Sequence, residues 1–273
     1  MYSSDKTVAA AQKTMLEILL EVHRICEKHQ LTYWLEAGTL LGAIRHKGFI
    51  PWDDDMDISM PRKDYDRFLE ILPEELGPEF FLQTRETDPG YPFPFAKIRK
   101  NNTLLIETGE TGEEPYHHGI FLDVFPMVHY EHGWFVRWMQ WSYLFRDKKK
   151  KYRKGSLKRA LVTFYTNILM GIPSFISAKA RNYFARHKAA IGNERSEFLS
   201  YDIDFTYPCL TRRTDILPVQ YAENVFEGHG FYLPADPHAV LVSQFGPNYM
   251  ELPPENQRKT HARKIVLDTE KKA

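Results

Sequence analysis

The chain has 273 residues, of which 43% are hydrophobic and 14% aromatic, and this composition excludes wholesale disorder. Its 36 Lys and Arg residues balance 36 Asp and Glu residues, so no global field attracts it to nucleic acid or to a membrane. The 2 cysteines, Cys26 and Cys209, are too few for a disulfide framework or a cysteine-rich zinc site and are predicted to be reduced thiols. Residues 1–6 lack the apolar core of a signal peptide, which favours a cytoplasmic location.

The first predicted elements are a helix, a strand and a second, shorter helix. Apolar residues at helical spacing predict a long amphipathic helix over Thr7–His29, and Leu31–Glu36 is predicted as a short strand. Gly38 and Thr39 then turn the chain into a helix over Leu40–Arg45. Glycine lets the backbone approach a ligand closely, and a helix N-terminus presents unpaired amides, so this turn can hold an anion.

The next element is densely acidic. We call residues 51–58 the acidic motif; its sequence is Pro51-Trp52-Asp53-Asp54-Asp55-Met56-Asp57-Ile58. Residues two apart on a strand point to the same face, so a strand over 55–60 would direct the carboxylates of Asp55 and Asp57 together. Such hard oxygen ligands suit Mg²⁺ or Mn²⁺, which hold substrate phosphates, with Asp53 or Asp54 as further ligands.

Two other interpretations of the acidic motif are disfavoured. An EF-hand loop needs a glycine where Ile58 stands and a glutamate where Asp64 stands. A merely solvated acidic loop does not explain why Trp52 and Met56 alternate with the charges. A metal site for phosphoryl transfer is therefore the main prediction.

The chain then continues through a helix and several strands. A helix is predicted from Pro61 through Leu72, a flexible polar loop over 107–118, and strands over Phe80–Gln83, Phe95–Arg99, Thr103–Ile106 and Gly119–Pro126.

Five residues on or near these elements are candidates for the site. Asp123 lies inside an apolar strand, where it either completes a carboxylate triad and accepts a proton from an acceptor hydroxyl, or is a structural acid that caps a loop. Lys97 and Arg99 share one strand face, where they either neutralise phosphate charge or line a solvent-facing strand edge. Arg45 and His46 are further phosphate-binding candidates.

The region beyond residue 132 is predicted to be helical. It contains an aromatic stripe, a basic run over 146–154 and an apolar stretch, Ala160–Ala178, which we interpret as two helices broken at 171–173 rather than one membrane span. The basic run is either a solvated helix end or a surface attracted to an anionic membrane or a polyanionic acceptor. A hairpin over Val225–Leu233, a helix starting at Asp236-Pro237 and a stop at Gly246 follow.

The motifs together resemble those of a known family. Residues 33–58, the segments Lys97-Ile98-Arg99 and Phe121–Pro126, and residues 245–254 resemble the LicD family of phosphocholine transferases, which includes fukutin-type sugar phosphotransferases. The resemblance implies an α+β fold with a nucleotidyltransferase core like the polymerase-β palm. It divides the chain into a catalytic core over 1–130, a helical insertion over 131–200, and a hairpin and helix over 201–273 that pack back on the core.

The resemblance also implies an activity. Family members use Mg²⁺ to move phosphocholine from CDP-choline to a sugar hydroxyl of teichoic acid or lipopolysaccharide precursors. For this protein we expect a soluble or lipid-linked glycan acceptor and a cytoplasmic location, with peripheral association at the inner face of the membrane as an alternative. The family's glycine motif corresponds to Gly38-Thr39, its paired acids to Asp55 and Asp57, and its third acid to Asp123. One departure is Val128, where the family usually has an acid or a polar residue.

Several choices stay open at this level. Trp34, Trp52 or Tyr249 could contact the choline ammonium. The donor could be another CDP-linked alcohol, such as CDP-ribitol or CDP-glycerol. From other functional classes, the protein could be a non-catalytic nucleotide-binding or glycan-binding protein, or a membrane-bound scaffold. No nucleic-acid partner is expected.

Overall fold

The computed structural model describes residues 5–130, 155–170, 195–201 and 210–269. They belong to two compact units, Met1–Pro126 with Asp215–Ala273 and Met127–Thr214. The helices are α1 (Asp5–His29), α2 (Ala37–His46), α3 (Arg62–Glu75), α4 (Leu157–Met170), α5 (Arg213–Ile216) and α6 (Pro237–Phe245), with a 3₁₀ turn at Glu255–Gln257. The strands are β1 (Trp34–Leu35), β2 (Asp57–Pro61), β3 (Phe80–Gln83), β4 (Ala96–Lys100), β5 (Leu104–Glu107), β6 (Phe121–Tyr130), β7 (Phe198–Tyr201), β8 (Leu210–Arg212), β9 (Gln220–Phe226), β10 (His229–Leu233) and β11 (Ala262–Val266).

The α+β class is confirmed, and the first helix forms for the predicted reason. Met15, Leu19 and Val22 recur on one face of α1 and are fully buried. Burying each such side chain stabilises the fold by about 1.5–3 kcal/mol. The helix ends where Gln30 takes a left-handed conformation with φ 55°.

The predicted bounds of three elements near the acidic motif were wrong. The short helix α2 begins at Ala37 rather than Leu40, so Gly38 and Thr39 lie inside its first turn. The strand β2 begins at Asp57 rather than at residue 55, so Asp55 belongs to the segment that leads into it. The predicted strand before α2 shortens to two residues.

A sheet in the first unit brings the acidic strands together. Its order is β1-β2-β6-β4-β3. The antiparallel register of β4 and β6 sets Lys97 opposite Asp123, and β1 pairs antiparallel with β2. The two strands that carry the predicted acids, β2 and β6, are therefore neighbours.

The C-terminal part of this unit forms the predicted hairpin and helix. Strands β9 and β10 pair antiparallel around Glu227 and Gly228, both at positive φ. Asp236 caps α6 by accepting a hydrogen bond from the Ala239 N–H at 2.9 Å, and Gly246 ends it with φ 86°. The strand β11, which pairs antiparallel with β5, was not predicted.

The second unit holds the end of β6 and the strands β7 and β8, which pair antiparallel. Val128 is buried on β6 opposite Ser200, and neither β7 nor β8 was predicted. The predicted aromatic stripe (Trp134, Trp138, Trp141, Phe145), the basic run, the helix break at 171–173 and Cys209 lie outside the described residues. Within the described ranges, no helix has both the length and the apolar character needed to span a bilayer.

Candidate active site

The backbone of the acidic motif is held at both ends by side chains from neighbouring helices. From α1, the Gln12 amide donates hydrogen bonds to the carbonyls of Ile50 at 3.0 Å and Asp53 at 2.8 Å. From α2, the Thr39 hydroxyl accepts a hydrogen bond from the Asp57 N–H at 2.8 Å. The motif is therefore a fixed segment rather than a solvated loop.

Asp123 lies directly beside this segment. Its backbone N–H donates to the Met56 carbonyl at 2.8 Å, between Asp55 and Asp57 along the chain. Asp57 and Asp123 are both buried, at 9% and 8% exposure. The structure thus brings together the three predicted acids.

Burial is the largest cause of the raised pKa values in the cluster, and repulsion between the carboxylates adds to it. Burial and the charges of Asp55 and Asp123 raise the pKa of Asp57 well above its usual value. Burial also raises the pKa of Asp123 to about 7, although the Lys97 ammonium opposes the shift. Burial and the nearby Asp55 charge raise the pKa of Asp53, with which Asp55 shares a hydrogen bond. The site therefore contains more carboxylates than its own cations neutralise.

Lys97 supplies one buried cation to the cluster. Its ammonium lies 3.0 Å from Asp123 Oδ1, 3.4 Å from Glu107 Oε2 and 3.3 Å from the centre of the Phe121 ring. Arg99 is also buried, but its guanidinium donates to Gln83 Oε1 at 2.6 Å and to the Gly119 carbonyl at 2.7 Å. The alternative of a solvent-facing strand edge is wrong for both residues.

The glycine turn packs against the acidic motif. A Cβ at Gly38 would lie 2.9 Å from Asp53 Oδ2, so a larger residue would push this carboxyl aside. The Thr39 hydroxyl is already bonded to Asp57. The first N–H groups of a helix have no intrahelical partner, so anion binding by the amides of Gly38 and Thr39 stays a prediction.

The remaining substrate-binding candidates differ in accessibility. The Arg45 guanidinium donates to the Tyr249 carbonyl at 2.8 Å, and His46 packs edge-on against Trp52. Trp34 is fully buried, with its indole N–H donated to Glu36 at 2.7 Å, so it presents no face to a choline group. Trp52 is only half-buried.

A C-terminal segment crosses the acidic motif, and sequence analysis missed it. The Asp54 carboxylate accepts the backbone N–H groups of His261, at 2.8 Å, and Ala262. His261 Nδ1 lies 3.4 Å from Asp55 Oδ2, and this pairing raises the pKa of His261 to about 9. The Arg258 guanidinium lies 5.0 Å from the centre of the Trp52 ring. The contact from Asp54 to His261 joins positions 207 residues apart, and no local pattern signals it or its neighbours.

The donor chemistry of the cluster fits a divalent cation. Asp55, Asp57 and Asp123 offer hard oxygen ligands with unbalanced charge, and the buried Asp123 Oδ1 makes no hydrogen bond despite its ion pair. Among the described residues, no three Asp, Glu, His or Cys side chains are already arranged as a metal site. A cation would therefore require these carboxylates to rotate toward it.

Comparison with known proteins identifies the same region of the chain. The family model LicD/FKTN/FKRP, nucleotidyltransferase domain, matches residues 30–159. The chain is 28% identical to the lipopolysaccharide cholinephosphotransferase LicD of Haemophilus influenzae over 93% of this chain and 96% of that protein. It is 32% identical to the human ribitol 5-phosphate transferase FKRP over 77 residues, 28% of this chain and 16% of that protein. The chain therefore contains a LicD family domain, which confirms the resemblance that its motifs indicated.

Proposed function

We propose that this protein transfers phosphocholine from CDP-choline to a sugar hydroxyl of a lipopolysaccharide or teichoic acid precursor. The observation that carries the proposal is the cluster that Asp55 forms with the buried Asp57 and Asp123 on neighbouring chain segments, with Lys97 beside it. The similarity to a lipopolysaccharide cholinephosphotransferase along nearly the whole chain supports the substrate class. A nucleotidyltransferase core like the polymerase-β palm is part of the proposal, supported by the family match.

In the proposed reaction, the acceptor hydroxyl oxygen forms a bond to the phosphorus that bears choline, while the bond from that phosphorus to CMP breaks. CMP leaves with the bridging oxygen, and the hydroxyl proton passes to a base. Asp123 would accept this proton as the alternative to its role as a third metal ligand. The Lys97 ammonium and the first amides of α2 would stabilise the charge that develops on the phosphates.

Mg²⁺ or Mn²⁺, when bound, would neutralise the diphosphate and hold it in line with the acceptor. Asp55 and Asp57 would hold the ion, with Asp123 as a third ligand. Asp53 lies in the same cluster, whereas Asp54 is engaged by the backbone of His261 and Ala262. The structure therefore favours Asp53 over Asp54 as an additional ligand.

A second donor is supported by a specific similarity. The 77-residue match to ribitol 5-phosphate transferases favours CDP-ribitol, or by analogy CDP-glycerol, as an alternative donor for the same chemistry.

The choline ammonium would be recognised by aromatic faces, of which Trp52 is the more accessible candidate. The reaction would take place on the cytoplasmic side of the membrane, where CDP-linked donors are available.

The proposal is tested by measuring CMP release from CDP-choline, CDP-ribitol and CDP-glycerol with a glycan acceptor, once in the presence of Mg²⁺ and once in EDTA. We expect release with CDP-choline that EDTA abolishes. Asp57→Asn should lower the rate of CMP release by about 100-fold or more, because the amide replaces a carboxylate that would hold the metal ion. The fold should be preserved, because burial already disfavours the charged form of Asp57. Asp66→Asn, an exposed aspartate on α3, is the matched control. Donor binding without CMP release from any acceptor would identify a non-catalytic binding protein.

A further inference from the structure

Helix α4 has apolar residues on its exposed side, where a surface helix usually has polar residues. Leu157, Leu161 and Phe164 are 77%, 48% and 60% exposed. At 100° per residue, positions i, i+4 and i+7 form one stripe along the helix. Ala160 lies on the same stripe and is exposed as well. Over residues 157–164, the solvent-facing side of α4 is therefore its apolar side.

The opposite side of the helix is less exposed and includes polar residues. Arg159 and Thr163 are half-buried, together with Val162. The Ser156 hydroxyl accepts the Arg159 N–H at 3.2 Å, which caps the helix at its start. A surface helix normally turns its apolar stripe toward the protein. An exposed apolar stripe over two turns of a helix that is capped at its N-terminus marks a docking surface.

The charge around α4 indicates what docks there. The balanced total conceals a strong asymmetry: residues 148–193 contain 12 Lys and Arg residues and no Asp or Glu. The rest of the chain then holds 24 of the 36 basic residues against all 36 acidic ones. Lys158 is exposed beside the apolar stripe. The sequence that contains the exposed helix is therefore the basic part of an otherwise acidic protein.

We propose that the exposed face of α4 docks onto an anionic lipid bilayer, with the helix lying in the interface. Leu157, Leu161 and Phe164 would enter the boundary between headgroups and acyl chains, while the exposed Lys158 faces lipid phosphates. A soluble polyanion matches the charge but leaves the apolar stripe exposed. A second protein matches the stripe but must also be strongly acidic. Only an anionic membrane supplies both properties across one surface.

The proposal is tested by sedimentation of the full chain with vesicles. Two compositions are compared, pure phosphatidylcholine and phosphatidylcholine with about 30 mol% phosphatidylglycerol, at about 0.05 M and 0.5 M NaCl. We expect binding to the anionic vesicles at low salt, and weaker binding at high salt. The readout is independent of turnover, so its failure leaves the proposed transfer activity untouched.

Two triple variants separate lipid insertion from charge attraction. Leu157→Ser/Leu161→Ser/Phe164→Ser should weaken binding to anionic vesicles by about tenfold or more, because the apolar contacts are lost. The control, Met250→Ser/Leu252→Ser/Leu267→Ser, removes exposed apolar residues of the first unit and should bind like the parent. Circular dichroism establishes that both variants are folded, and Leu161→Ser alone serves if the triple variant is not.

Three outcomes would overturn the proposal. The first is no binding to anionic vesicles at low salt. The second is equal binding by the parent and the α4 variant, which would show that charge alone attracts the protein to polyanions. The third is a dimer in solution that the α4 variant converts to a monomer without vesicle binding by the parent, which would make the face a protein interface.

Discussion

The acidic cluster in the first unit and helix α4 in the second depart from normal burial in opposite directions. Around Asp57 and Asp123 the protein buries carboxylates that would ordinarily face water. Along α4 it exposes Leu157 and Leu161, which would ordinarily be inside. Each region is incomplete by itself: the first contains unneutralised charge, and the second contains uncovered apolar surface.

The two regions are therefore stabilised by different partners. A buried negative cluster is stabilised by a cation, whereas an exposed apolar stripe is stabilised by an apolar environment. Mutations in the first region should therefore respond to divalent ions and pH, and mutations in the second should respond to lipid.

The largest effect is expected at the buried cation. Lys97→Met removes the positive charge beside Asp123 and Glu107, so it should destabilise the protein by about 3–5 kcal/mol. Unfolding in urea, followed by tryptophan fluorescence, measures the loss. Because Mg²⁺ would supply replacement charge, millimolar Mg²⁺ should recover part of it. Equal stability of variant and parent without Mg²⁺ would show that the carboxylates are protonated or hydrated in the native state.

A smaller loss is expected where the C-terminal segment crosses the site. Asp54→Ala leaves the N–H groups of His261 and Ala262 without their acceptor, and should cost about 1–3 kcal/mol. Hydrogen exchange of residues 255–266 should accelerate in the variant, whereas the exposed Asp66→Ala should change neither quantity. Retained exchange protection would mean that β11 alone holds the segment.

Local patterns predicted the centre of the site because its residues are close in sequence or follow strand periodicity. The alternation around Asp57 identified β2, and the single acid in an apolar run identified Asp123 on β6. Residues on adjacent strands meet through the sheet order, and the sequence left open whether the strand of Asp123 lies beside β2.

The rest could not be predicted because its partners are distant and unremarkable in sequence. The Asp54 contacts depend on β11, which carries no motif of its own, and the Gln83 amide that pairs with Arg99 lies in an ordinary strand. The start of α2 was placed three residues late, because Ala37 adopts a positive φ of 46° that alanine rarely takes. Such features follow from tertiary packing and not from propensity.

The next effect concerns acid stability in the first unit. His117 Nδ1 accepts a hydrogen bond from the Gly119 N–H at 2.9 Å, and its Nε2 lies 3.1 Å from Asn101 Oδ1. A ring with one accepting nitrogen and one donating nitrogen is neutral. Burial, and then the Arg99 charge, lower the pKa of His117 to about 4. Since the unfolded value lies near 6.5, the stability from this group is full above about pH 6.5 and is lost as the pH falls toward 4.

The measurable quantity is the free energy of unfolding as a function of pH, compared between the parent and His117→Gln. Between about pH 6.5 and pH 4 the free energy of unfolding of the parent should fall by about 2 kcal/mol more than that of the variant. The variant is needed because Asp123 also contributes to the pH dependence of the parent. Its raised pKa of about 7 makes the folded state more stable as the pH falls, which is opposite to the effect of His117. His229→Gln, at an exposed position, is the control and should follow the parent. Parallel pH profiles for parent and His117→Gln would contradict the neutral-ring assignment.

The smallest effect is expected on α4, where the comparison is sharpest. Leu161→Ala should change the free energy of unfolding by less than about 0.5 kcal/mol, because an exposed side chain contributes little to the folded state in water. Leu19→Ala, the matched change on α1, should cost about 2–5 kcal/mol because it opens a cavity. On anionic vesicles the order should reverse, with Leu161→Ala weakening binding and Leu19→Ala leaving it unchanged. If Leu161→Ala destabilised the protein in water as much as Leu19→Ala, the stripe would be packed against protein, and the contrast between the two regions would disappear.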